Sequence, residues 1–416
     1  MGGAIGAAII LMIGLASPFS RAEKVLLLLN YFIVYEYTVL ARNYGIGLLL
    51  AMLYAMLGRG EHERPVLAGL LLGAMANTNV YALFLSGFLA LEYAYSRVLG
   101  AGRRSRMDIA RLVAGAALYC GLLLLAVLTF LPPRDLTGDF GPTPDTGLGM
   151  GAFGFAALRT LVAPFLPIDF NFPASFAFPG NWASQGRRVL LAPLLLPFIL
   201  AVQWTVLRHA KPMLLALVGT AVATTLFPVL IYPAAIRHLG VMFIGFVVAL
   251  WLVRERLPAR PWPVLALLAL GALGGGTALA GQWMRPYSVN EQVAQWLRTN
   301  GLAAAAIVGD SDIRTEPVAV LMGRPFYSLD CMCEQRFVRF QNRRDAFSAA
   351  MMPTRLALMS ERLGPRPFIL LAERRLDREQ QDQIASRGLG LTELAFMSGA
   401  ERDKEMAIYR VDPPPR

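Results

Sequence analysis

Apolar runs long enough to cross a bilayer recur from Met1 to about Trp283 and then stop. Bilayer hydrocarbon is about 30 Å thick, so a crossing helix needs roughly 20 mostly apolar residues. The clear runs are Ile109–Leu131, Val189–Leu207, Met213–Tyr232, Leu239–Val253 and Pro263–Gln282. Gly2–Ser17, Val25–Leu40, Tyr44–Leu57, Val66–Ala76 and Val80–Tyr95 are shorter or more broken. The pattern predicts about ten crossings. They must be helical, because lipid satisfies no open backbone. The expected class is a multi-pass α-helical membrane protein with a C-terminal soluble α/β domain. Residues 1–282 form the transmembrane part, 132–188 a long exoplasmic loop within it, and 283–416 the exoplasmic domain.

Composition agrees. Mean hydropathy is +0.50, 56% of residues are hydrophobic and only 16% are charged. A soluble fold has too little interior for that much apolar surface.

The net charge of +11 changes the picture only through its placement. Up to residue 282 there are 20 of the 39 Lys+Arg and 11 of the 28 Asp+Glu, leaving 19 and 17 for the remainder. Every second loop is basic: Arg21 and Lys24; Arg59 and Arg64; Arg97 to Arg111; Arg208 and Lys211; Arg254 to Arg260. The intervening short loops hold little more than Arg42 and Arg237. This asymmetry puts the basic loops in the cytoplasm, and the N-terminus and C-terminal domain on the exoplasmic side. The expected location is the inner cell membrane. No basic stripe with stacking aromatics appears, which argues against a nucleic-acid partner.

An exoplasmic Met1 with no crossing before it is unusual. Met1–Ser17 lacks the positive n-region of a signal peptide. The expectation is that a first helix precedes this chain or was lost. Of the three cysteines, Cys120 falls in a crossing run, and Cys331 and Cys333 fall in the exoplasmic part. Cys-x-Cys is too tight for an ordinary structural disulfide and lacks the other ligands of a zinc site, so two separate thiols are expected.

From Trp283 onward the period changes. Helices are expected over Asn290–Thr299, Pro317–Met322, Asp345–Leu363 and Asp377–Arg387. Strands are expected over Ala303–Val308, Pro325–Leu329, Phe368–Ala372, Leu391–Met397 and Met406–Val411. Such alternation implies a parallel or mixed sheet with helical cover. Gly309-Asp310-Ser311-Asp312 sits where ligands meet such sheets. Its aspartates either cap the next helix or contact a metal or sugar.

Polar residues at the ends of crossing helices are costly and therefore candidates for function. The densest set is Tyr35 to Tyr44, with Glu36 and Arg42; Asn77-Thr78-Asn79 and Arg237-His238 join it on the same expected face. The loop from Pro132 to Arg188, with Asp135 and Trp182, is long enough to cover a site there.

Tyr37 followed by Ala41-Arg42-Asn43-Tyr44 and the apolar Gly45–Leu57 resembles a segment of the GT-C class of membrane glycosyltransferases. That superfamily includes protein mannosyltransferases and lipid A aminoarabinose transferases. Leu67 to Asn79 is similar to its Gly-punctuated helix ending in a polar exoplasmic turn. The motif match covers residues 25–97, and beyond them only the layout agrees. The resemblance implies transfer of a sugar from a polyprenyl-phosphate donor to an exoplasmic acceptor. A carboxylate would take the acceptor's proton, while a divalent metal or cationic groups steady the departing phosphate. Arg42 would hold phosphate, Tyr44 would donate a hydrogen bond, and Arg237 or His238 would assist, with Asn77 and Asn79 at the substrate. The family's acid lies in a first exoplasmic loop, and this chain begins later. The expectation is that the acid lies on preceding residues, the alternatives being that Glu36 or Asp135 substitutes for it or that the chain is inactive. A transporter and a non-catalytic scaffold with a partner-binding domain are the alternatives. The absence of an internal repeat argues against the transporter.

Overall fold

A computed structural model describes residues 2–38, 43–57, 64–99, 106–131, 150–167, 192–231, 235–258, 261–284, 288–337, 349–398 and 405–414. These divide into two compact units, one up to Ala280 and one from Gly281 on. Arg42, Asp135 and Trp182 lie outside the described residues.

The first unit is helical. Its helices are α1 (Gly2–Leu11), α2 (Arg21–Leu28), α3 (Tyr44–Leu57), α4 (Pro65–Ala76), α5 (Val80–Leu99), α6 (Arg106–Phe130), α7 (Met150–Val162), α8 (Ala192–Leu207), α9 (Lys211–Leu230), α10 (Ile236–Val253) and α11 (Trp262–Met284). Among the described residues, four helices are long and apolar enough to cross a membrane: Arg106–Phe130, Lys211–Leu230, Ile236–Arg256 and Trp262–Met284. The remaining apolar helices are shorter, at 10–17 residues. Helix α5 has the length but carries Glu92, Arg97 and three tyrosines.

Two expectations are corrected. Val25–Leu40 is not one helix: α2 ends at Leu28, and a π-helical turn runs over Phe32–Glu36. The break is at buried Asn30, whose Oδ1 accepts the Phe32 N–H at 3.0 Å and so competes with the helix ladder. The stretch 132–188 is not simply a loop. It contains α7, which packs on α8, α9 and α10, and beyond it Phe165 sits edge-on to Phe243 and Phe246.

Helix directions follow from close contacts. Gly69 and Gly115 let α4 and α6 meet backbone to backbone, for a Cβ on Gly115 would strike the Pro65 carbonyl. Asn77 at the end of α4 donates to the Leu122 carbonyl at 2.9 Å, so α4 and α6 run parallel. Phe88 packs at Gly219 and Tyr81 against Phe227, so α5 and α9 run antiparallel. Arg64, Arg97, Arg106, Arg208, Lys211 and Arg254 consequently collect at one end of the unit.

Helix α10 is the axis of this unit, with 89% of its span buried, against 11% for α6. On α6, Val113, Leu124 and Leu128 are each about 60% exposed, an apolar exterior that water would penalise. The basic end of α10 is anchored by a buried ion pair, Arg254 Nε to Glu23 at 2.9 Å. Glu23 also accepts the Ser20 N–H at 2.7 Å, closing a capping box on α2.

The second unit contains α12 (Asn290–Thr299), β1 (Ile307–Gly309), α13 (Asp312–Met322), β2 (Phe326–Ser328), β3 (Cys333–Gln335), α14 (Met352–Leu363), β4 (Phe368–Ala372), α15 (Arg378–Ala385), β5 (Gly390–Met397) and β6 (Met406–Asp412). The six-stranded mixed sheet has the order β3-β2-β1-β4-β6-β5. Strand β1 is parallel to β2 and to β4, and the other pairings are antiparallel. One face holds Val308, Leu356, Leu370 and Tyr409, the other Val293, Ile307, Ile369 and Ile408.

Strand β3 is absent from the sequence expectations, because Cys333-Glu334-Gln335 is polar and short. Cys331 and Cys333 are not separate thiols; they form a disulfide. The turn between them puts Met332 at φ +53°, in the left-handed region, and brings the two Cα atoms to 5.2 Å. That spacing is within the usual disulfide range.

Candidate active site

Four helix ends meet at the end of the helical unit opposite the basic residues. They are the start of α3, the turn from α4 to α5, and the start of α10, joined by the residue after the π-helical turn. Tyr37, Tyr44, Asn79, Tyr81, Arg237 and His238 line one small cavity there. Its volume is about 10 Å³, space for a single water.

Each side chain is held by a local reason. Tyr37 Oη donates to the Arg237 carbonyl at 2.7 Å, across 200 residues of sequence. Gly240 makes this possible, because a Cβ there would collide with Tyr37 Oη and the Phe32 ring. Tyr44 stacks on Tyr37 with centroids 5.7 Å apart, and its ring lies 5.9 Å from that of His238. His238 lies on Tyr81 at 4.7 Å. Its Nδ1 accepts the Ala235 N–H at 2.9 Å, so the neutral ring carries its proton on Nε2.

The sequence candidates separate into those brought together and those set apart. Tyr44, Asn79, Arg237 and His238 share the cavity. Asn79 caps α5, with Oδ1 accepting the Ala82 N–H at 2.9 Å. Asn77 lies outside the cavity lining and ties α4 to α6, donating to the Gly73 and Leu122 carbonyls. Glu36 is buried, 4% exposed, and its Oε2 accepts the Tyr31 hydroxyl at 2.6 Å. It is not among the described residues lining the cavity. Tyr81 was not a sequence candidate; its only signal was its place two residues after Asn79, on the first turn of the next helix.

The Arg237 guanidinium makes no ion pair among the described residues. A half-buried guanidinium at a helix start is suited to phosphate oxygens. Tyr81 also stands edge-on to Phe84 at 6.1 Å. Phe84 is part of the wall of a much larger groove between α4, α5 and α6, about 680 Å³ and nearly all apolar, with Leu72, Phe88, Leu112 and Val113.

In the second unit, neither aspartate of the Gly309–Asp312 loop caps α13 with its side chain, and Ser311 at the cap position makes no such bond. Asp310 receives the Glu373 N–H on both oxygens, at 3.0 and 3.1 Å, which joins the ends of β1 and β4. Burial pushes its carboxyl up to about 7, against the opposing effect of that hydrogen bond. Among the described residues no cluster of three His, Cys, Asp or Glu could hold a metal ion.

No family model, curated protein or solved structure matches the chain.

Proposed function

We propose that this is a membrane glycosyltransferase-like protein that moves a sugar from a polyprenyl-phosphate donor to an acceptor outside the cytoplasm. The observation that carries the reading is the joining of Arg237, His238 and three tyrosines from distant segments at the end of the helical unit away from the basic turns. Arg237, with Arg42 from the neighbouring segment, would hold the donor phosphate. The half-buried Tyr44 would donate a hydrogen bond to the donor, while Tyr81 backs His238. The apolar groove that begins at Phe84 would take the isoprenoid chain.

By the same reading the basic turns are cytoplasmic, in the inner membrane, and the C-terminal unit is exoplasmic. The Cys331–Cys333 disulfide supports that side, since disulfides persist in oxidising compartments. Glu36 serves as base only if Tyr31 releases it. A divalent metal would have to come with the donor or with residues beyond those described.

One observation favours the scaffold reading. The cavity has room for no more than a water, and Tyr37, Asn79 and His238 are bonded to the protein itself. The deciding experiment supplies the full chain in nanodiscs with a panel of labelled polyprenyl-phosphate sugars. Transfer that falls about 10- to 100-fold in Arg237→Ala and Arg42→Ala supports the enzyme. No transfer across the panel leaves the scaffold.

A further inference from the structure

The turn at Leu329–Cys333 in the second unit carries chemistry that the sugar-transfer reading does not use. Its disulfide closes over a single residue, and both cysteines are only half-buried. Around it the neighbouring elements supply hydrogen-bond donors. Gln335 Nε2 donates to Cys331 Sγ at 2.8 Å and, with its second proton, to Asp312 Oδ2 at 3.1 Å. Asp312 is 5% exposed, so this amide is fixed from behind by a buried carboxylate. Two arginines of α14 clasp the turn: Arg355 donates to the carbonyls of Leu329 and Asp330 at 2.8 and 2.6 Å, and Arg362 to that of Met332 at 2.5 Å. Met332 is held at φ +53°, a left-handed conformation that L-residues rarely adopt.

A disulfide that only cross-links needs none of this. Thiol exchange needs an accessible sulfur, a leaving sulfur stabilised as thiolate, and positive charge nearby. We propose that Cys331–Cys333 is a thiol–disulfide exchange site whose partner is an external thiol, either a small thiol or a protein dithiol.

The external thiolate attacks Cys333 Sγ. The S–S bond breaks, and its electron pair leaves on Cys331 Sγ, where the Gln335 N–H stabilises it while the two arginines hold the turn through its carbonyls. A mixed disulfide now joins Cys333 to the external sulfur. A second external thiolate attacks that outer sulfur, releasing Cys333 as thiolate and the oxidised partner as a disulfide. Two thiols have been oxidised, one protein disulfide reduced, and the two thiol protons end on Cys331 and Cys333. The reverse sequence oxidises a partner dithiol. Opening the ring also frees Met332 from its left-handed conformation.

The test uses the full chain with Cys120→Ser, so that only this pair can react, folded in detergent without denaturant. Thiols are counted by a maleimide mass shift before and after millimolar reduced glutathione, and again after oxidised glutathione. The expected result is a closed pair as purified, two thiols gained within minutes, and both lost again on reoxidation. With Cys331→Ser, oxidised glutathione should leave one glutathione on Cys333. Arg362→Ala and Gln335→Leu, with unchanged circular dichroism, should slow reduction at least threefold. Free thiols that oxidised glutathione does not close overturn the proposal. So does a pair that opens only in denaturant, or variants that react at the parent's rate.

Discussion

The imidazole of His238 lies face to face on the ring of Tyr81, centroids 4.7 Å apart and planes within 11°. This contact joins α10 to α5 at the candidate site and fixes the imidazole plane, while Ala235 fixes which nitrogen keeps the proton. Tyr81→Phe should retain both the unfolding midpoint and any transfer activity within about twofold. Tyr81→Ala removes an aromatic pair worth about 1 kcal/mol and should lower activity at least tenfold. Equal activity in the two variants would separate the stack from function.

Glu23 and Arg254 are both buried, at 0% and 8% side-chain exposure. Breaking such a pair strands the remaining charge, at a cost of about 3–5 kcal/mol. Glu23→Gln should therefore sharply lower the denaturation midpoint in detergent. The double variant Glu23→Gln/Arg254→Met should recover at least half of the loss. If the double variant is as unstable as the single, Glu23 acts mainly as the cap of α2.

Gly115 and Gly121 lie on one helix and face opposite surroundings. A side chain at Gly115 meets the Pro65 carbonyl, whereas one at Gly121 meets nothing within 4 Å. Gly115→Val should cost roughly 1–3 kcal/mol by pushing α4 and α6 apart, and Gly121→Val should be nearly silent. Thermal aggregation midpoints of the two proteins in one detergent would compare them directly.

Asp310 gives the second unit an inverted pH dependence. Its folded carboxyl titrates near 7 against 3.8 when unfolded, so the folded state binds the extra proton between those values. The contribution of Asp310 to stability is largest below about pH 4, falls as pH rises toward 7, and is flat above. Hydrogen exchange at Leu370–Ala372, corrected for intrinsic rates, should show protection declining over that window. Asp310→Asn keeps one acceptor for the Glu373 N–H without a charge, so it should abolish the decline. A variant with the same slope as the parent would refute the assignment.

Several elements were legible because local rules suffice for them. Asn290–Thr299 has apolar spacing and ends at Asn300-Gly301, and the helix occupies those residues. Phe368–Ala372 is a continuous apolar run, and it is a central strand buried at every position. Asp377 precedes α15 and caps it, its Oδ1 accepting the Gln380 N–H at 2.8 Å. Where a polar side chain turned inward, the reading failed. Asn30 broke an apparent crossing, Glu36 was sequestered by Tyr31, and Cys331 met Cys333 across a left-handed methionine.

The order of apolar and polar residues alone determined that this chain is mostly apolar helix followed by a smaller sheet unit. Period and burial are local consequences of hydrophobicity, so they can be read from one strand of text. Which polar groups share the cavity was decided only by tertiary packing. Tyr37 and Arg237 are 200 residues apart and meet because Gly240 leaves room for a hydroxyl. Such a contact depends on the shape of two helices together, and neither segment carries that shape by itself.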